Sequence, residues 1–335
     1  MKPATEISTP DTTAEEELLF TSLRADSWDE FFGQEHVKQA LQIAIEAANA
    51  RHEAMDHTLF YGPPGLGKTT LSHLIAKALN TQLKITSGTA LTKSGDLAAI
   101  LTNLEPGNVL FIDEIHRLPK AVEETLYTAM EDYALDIIIG KGPSARTIRL
   151  DVPHFTLVGA TTRFGLLAGP FRDRFGIIHR LEYYQPEFLQ IIIRNGAKKL
   201  AIDLEEKSAL EIARRARGTP RIGLKLLKRV RDFSQVRHAS KISPAIVIEA
   251  LDMHAIDSLG LDDHDRQLLT TIIKKHNGGP VGLSTLAASL SEDPMTIEEV
   301  TEPYLLQLGF LQRTNQGRVA TKLAYKHLSL TYPNN

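Results

Sequence analysis

The 335 residues contain no cysteine. Disulfides and thiolate-ligated zinc are therefore excluded, and a reducing cytoplasm is a compartment that fits. Long apolar runs are also missing. None approaches the ~18 residues a membrane-spanning helix needs, so no membrane role is expected. The N-terminus, MKPATEISTPDTTAEEELL, is acidic and polar, unlike a secretory or transit peptide. What remains is ordinary globular material: 42% hydrophobic and 24% charged residues, enough to bury a real core and long enough for two or three domains. The expectation is a soluble intracellular protein.

A net charge of −3 argues against indiscriminate nucleic-acid binding, but the charge is unevenly placed. Residues 1–30 hold eight acids against Lys2 and Arg24, whereas residues 207–241 hold eleven Lys or Arg against Glu211 and Asp232. From Tyr304 onward there are Arg313, Arg318, Lys322 and Lys326 and no acid. Such local basic surfaces suit phosphate, although solvated helix faces would give the same composition.

Residues 1–20 read as an acidic tail. From about 21 to 184, continuous apolar runs at 57–61, 83–86, 109–113, 155–161 and 177–181 alternate with amphipathic segments. That pattern predicts an α/β domain whose parallel sheet is covered on both faces. Residues 136–151, DIIIGKGPSARTIRLD, read as an inserted hairpin about a Gly/Pro/Ser turn. Helical periodicity follows at 185–256, with Leu210, Ile212, Ala213 and Ala216, then Leu224, Leu226, Leu227 and Val230, and predicts a small helical domain. Residues 257–335 read as short helices, one opened by a Thr296-x-x-Glu299 capping box. They end in two strand-like arms at 309–321, the pattern of a winged helix.

The strongest chemical signal is GPPGLGKT at 62–69, which fits G-x-x-x-x-G-K-[ST] between an apolar strand and a helical face. Gly62, Gly65 and Gly67 permit the turn, and backbone N–H groups at a helix start face phosphate oxygens. Lys68 brings a point charge to the β- and γ-phosphates, and the Thr69 hydroxyl suits Mg²⁺. VLFIDE at 109–114 adds Asp113 for the metal and Glu114 to orient or deprotonate the attacking water. Thr161, closing the next strand, could stand beside the γ-phosphate and the lytic water or simply cap the strand end. Arg174 in FRDRF and Arg221 in GTPR could stabilise phosphoryl transfer or form structural ion pairs, and both readings stay open on the residues alone.

GPPGLGKTTL, GDLAAILTNLE, VLFIDEIHRL, IGKGPSARTIRLD, GATTR, RDRFG, RGTPRI and LLKRVRDF together resemble the bacterial RuvB family of AAA+ ATPases. The likeness runs from about Leu23 to Leu328. It implies an ATPase domain, a small helical domain and a winged-helix head. It also implies a homohexameric motor on duplex DNA that drives branch migration at Holliday junctions with RuvA and the RuvC resolvase, in recombination, DNA repair and the SOS response. ATP and Mg²⁺ are the implied cofactors. Carried onto matching positions, Asp113 and Glu114 become the Walker B pair and Thr161 becomes sensor 1. Arg174 becomes a finger reaching a neighbour's ATP, and Arg221 becomes sensor 2. Leu23, Arg24, Thr70 and Tyr184 would border the nucleotide, with Glu131, Asp132 and Tyr133 as a further contact. Arg313 and Arg318 would touch DNA, and Ile137 and Ile139 would form the apolar face for RuvA.

Other P-loop machines fit less well. Without cysteine the chain lacks the Ser-Arg-Cys finger and zinc module of many clamp loaders. SGTALTKSGD at 87–96 lacks the aromatic pore loop of a protein unfoldase. The Asp113–Glu114 pair counts against a scaffold that binds nucleotide without hydrolysing it.

Overall fold

The computed structural model describes residues 21–139, 146–238 and 241–333. The chain forms two compact units. One comprises the chain up to Lys199 together with Thr219–Arg221, and the other comprises Leu200–Gly218 and the chain from Ile222 onward.

In the first unit, helix α1 (Glu35–Arg51) precedes β1 (Thr58–Tyr61), α2 (Lys68–Ala78), β2 (Leu83–Ser87), α3 (Ser94–Leu101), β3 (Val109–Asp113) and α4 (Lys120–Asp132). A hairpin of β4 (Ala134–Ile139) and β5 (Arg146–Asp151) follows, then β6 (Thr156–Thr161), β7 (Ile177–Arg180) and α5 (Pro186–Lys199). Five strands form one sheet in the order β2-β3-β6-β1-β7, every pair parallel. The continuous apolar runs thus have the predicted cause: all six residues of β6 and the first four of β3 are buried, because helices cover both faces. On α4, Val122, Leu126, Ala129 and Met130 repeat at helical spacing and pack into a core with Leu110, Ile112, Phe155 and Leu157. The two arms of the predicted hairpin pair antiparallel as β4–β5, and the Gly/Pro/Ser turn expected between them lies outside the described residues.

The second unit opens with α6 (Glu206–Arg215), continues through α7 (Pro220–Val236, most of which belongs here) and α8 (Pro244–Met253), and passes into α9 (Asp263–Lys275) and α10 (Leu283–Leu290). Then come α11 (Glu302–Gln307), the hairpin β8 (Leu311–Thr314) and β9 (Gly317–Ala320), and α12 (Lys322–His327). Backbone bonds in both directions between Val281 and Arg318 add a third rung to the hairpin. Three helices with a small sheet around Leu268, Leu269, Ile272, Leu305 and Leu311 make a winged helix. One expectation fails here. Thr296 opens no helix: the Asp293 side chain caps instead, accepting from the N–H groups of Met295 and Thr296, and a π-helical turn, Ile297–Thr301, follows. Asp followed by Pro294 is a stronger start than Thr, since Pro at the first helical position has no N–H to orphan. Among the described residues no helix is long and apolar enough to cross a membrane.

Phe155 is fully buried and its ring meets those of His57 and Tyr133. Phe155→Ala is expected to cost about 3–5 kcal/mol, read as a lower first thermal transition. A transition that does not move would refute this account of the core.

Candidate functional site

Parallel strands present their carboxyl ends at one edge of the sheet, and the loops there carry the chemistry. Tyr61, ending β1, is in register with Thr161 on β6, and Ser87 with Asp113 at the end of β3. The phosphate loop, leaving β1 at Gly62, is thereby set among these strand ends.

The loop's glycines are required by space as well as by conformation. Gly62 has φ 136°, and a Cβ there would lie 2.5 Å from the Leu181 carbonyl oxygen. Gly65 has φ 79°, and its Cβ would lie 2.9 Å from Cβ of Arg221. Gly67, at φ 101°, is the N-cap of α2 and offers no side-chain cap, so the first N–H groups of that helix face the loop. Lys68 is buried, and its ammonium donates to the carbonyls of Gly62 and Pro63 at 2.8 Å each. Burial pulls its pKa down while the Asp113 and Glu114 carboxylates oppose that pull. Thr69 and Thr70 continue into α2, half-buried.

Glu114 sits in the left-handed region at φ 47°, uncommon for a residue with a side chain. Its N–H donates to Asp113 Oδ1 at 2.9 Å. Its Oε2 accepts from the Thr162 hydroxyl at 3.1 Å and lies 3.2 Å from His116 Nδ1. Thr161 is fully buried; its Oγ1 accepts from the Arg163 N–H at 3.0 Å and lies 2.9 Å from the same His116 Nδ1. Neither His116 nor Thr162 was singled out from the sequence. The only hint was the position of His116 just past the Asp-Glu pair.

Tyr184 is buried; its hydroxyl donates to the Leu66 carbonyl at 3.1 Å, and its ring fills the space beside Gly33. Burial pushes its phenol well above the ordinary range. Leu23 is buried, and Arg24 bonds His73 of α2 at 3.0 Å. The backbone of Arg221 reaches the Gly65 carbonyl at 3.4 Å. Tyr184 and Arg221 therefore touch the loop itself, while Arg24 meets the helix that follows it.

Arg174 is held differently. Its guanidinium donates to the Tyr127 hydroxyl at 2.5 Å and to Glu131 at 2.8 Å, and lies over the Tyr127 ring. The structure thus gathers Glu131 with Arg174. Asp132 pairs with Arg149 of the hairpin at 2.9 Å, and Tyr133 stacks on His154. Ile137 and Ile139 lie on β4, but their side chains fall outside the described residues.

In the second unit, Arg313 and Arg318 both bond Glu302, whose side chain is fully buried, and both approach Glu298. The stretch that looked purely basic from Tyr304 onward is compensated by acids just upstream. Arg313 remains 42% exposed and Arg318 15%, so their free N–H groups differ in reach.

Residues 23–181 match the Holliday junction DNA helicase RuvB P-loop domain, 184–257 the RuvB AAA lid domain, and 258–329 the RuvB C-terminal winged helix domain. The Holliday junction branch migration complex subunit RuvB of Chloroflexus aggregans is 55% identical over 324 residues, covering 97% of this chain and 93% of that protein. Its counterpart in Dehalococcoides mccartyi is 56% identical over 316 residues, covering 94% and 90%. The solved Thermotoga maritima RuvB Holliday junction branch migration motor has a TM-score of 0.84 at 52% identity, covering 93% of this chain and 100% of that one.

Gly62→Ala forces a Cβ against backbone, with strain on the order of 1–3 kcal/mol. Nucleotide binding is expected to weaken about tenfold, measured by titration with a fluorescent ATP analogue. Unaltered affinity would show that the loop does not depend on this approach.

Proposed function

The chain belongs to the RuvB family, and from that premise we propose that it is the ATP-driven motor of Holliday junction branch migration. One observation carries the reading. The three family matches run from residue 23 to 329 on a chain whose first unit gathers Lys68, Asp113, Glu114 and Thr161 at one sheet edge. The division is an ATPase domain at 21–184, a helical domain at 185–256 and a DNA-binding head at 257–335, behind an acidic tail at 1–20. The working form is a homohexamer on duplex DNA in the cytoplasm, acting with RuvA, with RuvC resolving the junction.

The chemistry follows from charge. Phosphoryl transfer spreads negative charge over the γ-oxygens, and positioned cations stabilise it. Lys68 and the N-terminal amides of α2 bind the phosphates. Glu114 orients the attacking water and takes its proton, and Thr161 fixes the geometry beside it. Thr69 and Asp113 are hard oxygen donors beside a lysine that feels the Asp113 charge, a set that suits Mg²⁺, which prefers few protein oxygens plus phosphate and water. When bound, that ion neutralises phosphate charge. Leu23, Arg24 and Tyr184 border the nucleotide, and Arg221 reaches it from the same chain.

Arg174 serves a neighbouring protomer's ATP, and Glu131, Asp132 and Tyr133 are a further nucleotide contact. Within its own chain the guanidinium rests on Tyr127 and Glu131 of α4, partners it would share with or give up to the phosphate. Arg313 and Arg318 meet DNA phosphate, so binding is salt-dependent and indifferent to sequence. Ile137 and Ile139 dock RuvA.

The test is ATP-dependent movement of the crossover in a synthetic four-way junction, with and without RuvA. Hydrolysis without movement in both conditions would favour a DNA-bound switch over a motor. Arg174→Ala and Lys68→Ala should each abolish turnover; if only the lysine variant did, the shared site would be wrong. Arg313→Ala should weaken binding to all duplexes alike and lower the salt slope by about one, whereas a sequence-selective loss would point to base reading instead.

A further inference from the structure

The hydrolytic pair shares one nitrogen. His116 Nδ1 lies 2.9 Å from the Thr161 hydroxyl and 3.2 Å from the Glu114 carboxylate, and the imidazole side chain is only 5% exposed. A ring nitrogen either carries a hydrogen or accepts one. With a hydrogen, Nδ1 donates to Glu114 and the Thr161 hydroxyl must find another acceptor. Without it, Nδ1 accepts from Thr161, and its lone pair then faces Glu114 Oε2, which is repulsive. The two partners cannot both be satisfied as carboxylate acceptor and hydroxyl donor at once.

The surroundings sharpen the conflict. Thr161 Oγ1 already accepts from the Arg163 N–H; it keeps one lone pair and its own hydrogen, and that hydrogen has Nδ1 as an acceptor only when Nδ1 is unprotonated. Glu114 Oε2 already accepts from Thr162, so a carboxylate released by His116 keeps one tether. The turn carrying the imidazole, Ile115–Arg117, follows directly from the left-handed backbone at Glu114. Carboxylate and ring are therefore fixed relative to each other by three residues of chain. Burial holds the imidazole below its ordinary pKa against the attraction of Glu114, in keeping with a neutral ring that has one acceptor and one donor nitrogen.

We propose that His116 is a positioning residue for hydrolysis: its Nδ1 holds the Glu114 carboxylate or the Thr161 hydroxyl in alternation, so that the orientation of the base is tied to the engagement of sensor 1. This deepens the reading of Glu114 and Thr161 given above and rests on it. In this role His116 acts through its two partners, Glu114 and Thr161.

The test is steady-state ATP hydrolysis by the full chain with duplex DNA, together with nucleotide affinity. His116→Ala should lower kcat about 10- to 100-fold, the range for removing an outer-shell orienting partner, with KM and nucleotide affinity within about twofold of the parent. His116→Asn places amide atoms where Nδ1 stood and should recover part of the loss. Thr161→Val removes the hydroxyl, and the doubly substituted chain should be no slower than the slower single variant, because both break one linkage. Three results would overturn the proposal: unchanged kcat in His116→Ala, losses that multiply in the double variant, or a collapse of nucleotide affinity, which would mean a purely structural ring. Lys68→Ala separates the two levels. If hydrolysis survives that substitution, the assignment of hydrolysis to the Lys68–Glu114 site is wrong, whereas its loss beside a fully active His116→Ala sinks only the role of the histidine.

Discussion

The phosphate edge depends on the parallel register of β3, β6 and β1. Tyr61 opposite Thr161 and Ile112 opposite Gly159 put the last residues of three strands within one residue of the same height. A slip of one residue would turn Thr161 toward the other face of the sheet, since side chains alternate along a strand. Gly159 helps to hold that register. A Cβ there would come within 3.1 Å of both Leu59 and Ile115 and 3.3 Å of Phe175, so any side chain would require these three to give way slightly. The base, the sensor and the loop lysine are thus placed by backbone pairing. Their side chains need only short reaches.

Much of that backbone could be read from residues alone. Strands buried on both faces announce themselves as unbroken apolar runs, and each observed strand of the main sheet begins or ends within one residue of its run. The phosphate loop was legible because its geometry leaves glycine little substitute. Side-chain partnerships were harder. Glu114 meets Thr162 and His116 meets Thr161 across 48 and 45 positions, and nothing in local spacing encodes such pairs. The cap at Asp293 was misread as Thr296 for a related reason: two oxygen-bearing side chains three residues apart both suit a helix start, and Pro294 decides between them.

The arginines show why composition misleads about binding surface. Arg174, Arg313 and Arg318 all have acidic partners within their own unit. A guanidinium has five N–H donors in a planar fork, so one carboxylate leaves others to spend on phosphate. Glu302 is fully buried between two of them. Withdrawing both cations would strand a buried negative charge, which is costly. Arg318 is the more enclosed of the two and Arg313 the more exposed, so the N–H groups left over after Glu302 are more accessible on Arg313.

A similar argument applies where the helical segment meets the head inside the second unit. Arg217, in a left-handed conformation at φ 52°, donates to the Gly260 carbonyl at 2.8 Å, to Asp262 at 3.0 Å and to Asp265 at 2.6 Å, and lies over the Tyr304 ring. Asp262 and Asp265 meanwhile cap α9 reciprocally. The cation is thereby fastened to the start of the head's first helix by charge, by hydrogen bonds and by an aromatic face together. Gly260 cannot carry a side chain, because its Cβ would lie 2.3 Å from the Arg215 carbonyl oxygen. With the backbones pressed together and the charges satisfied, displacing the turn at 215–217 without carrying α9 along would expose Asp265, which is almost completely buried. The desolvated carboxylate, more than the apolar area around it, makes these two elements move as one.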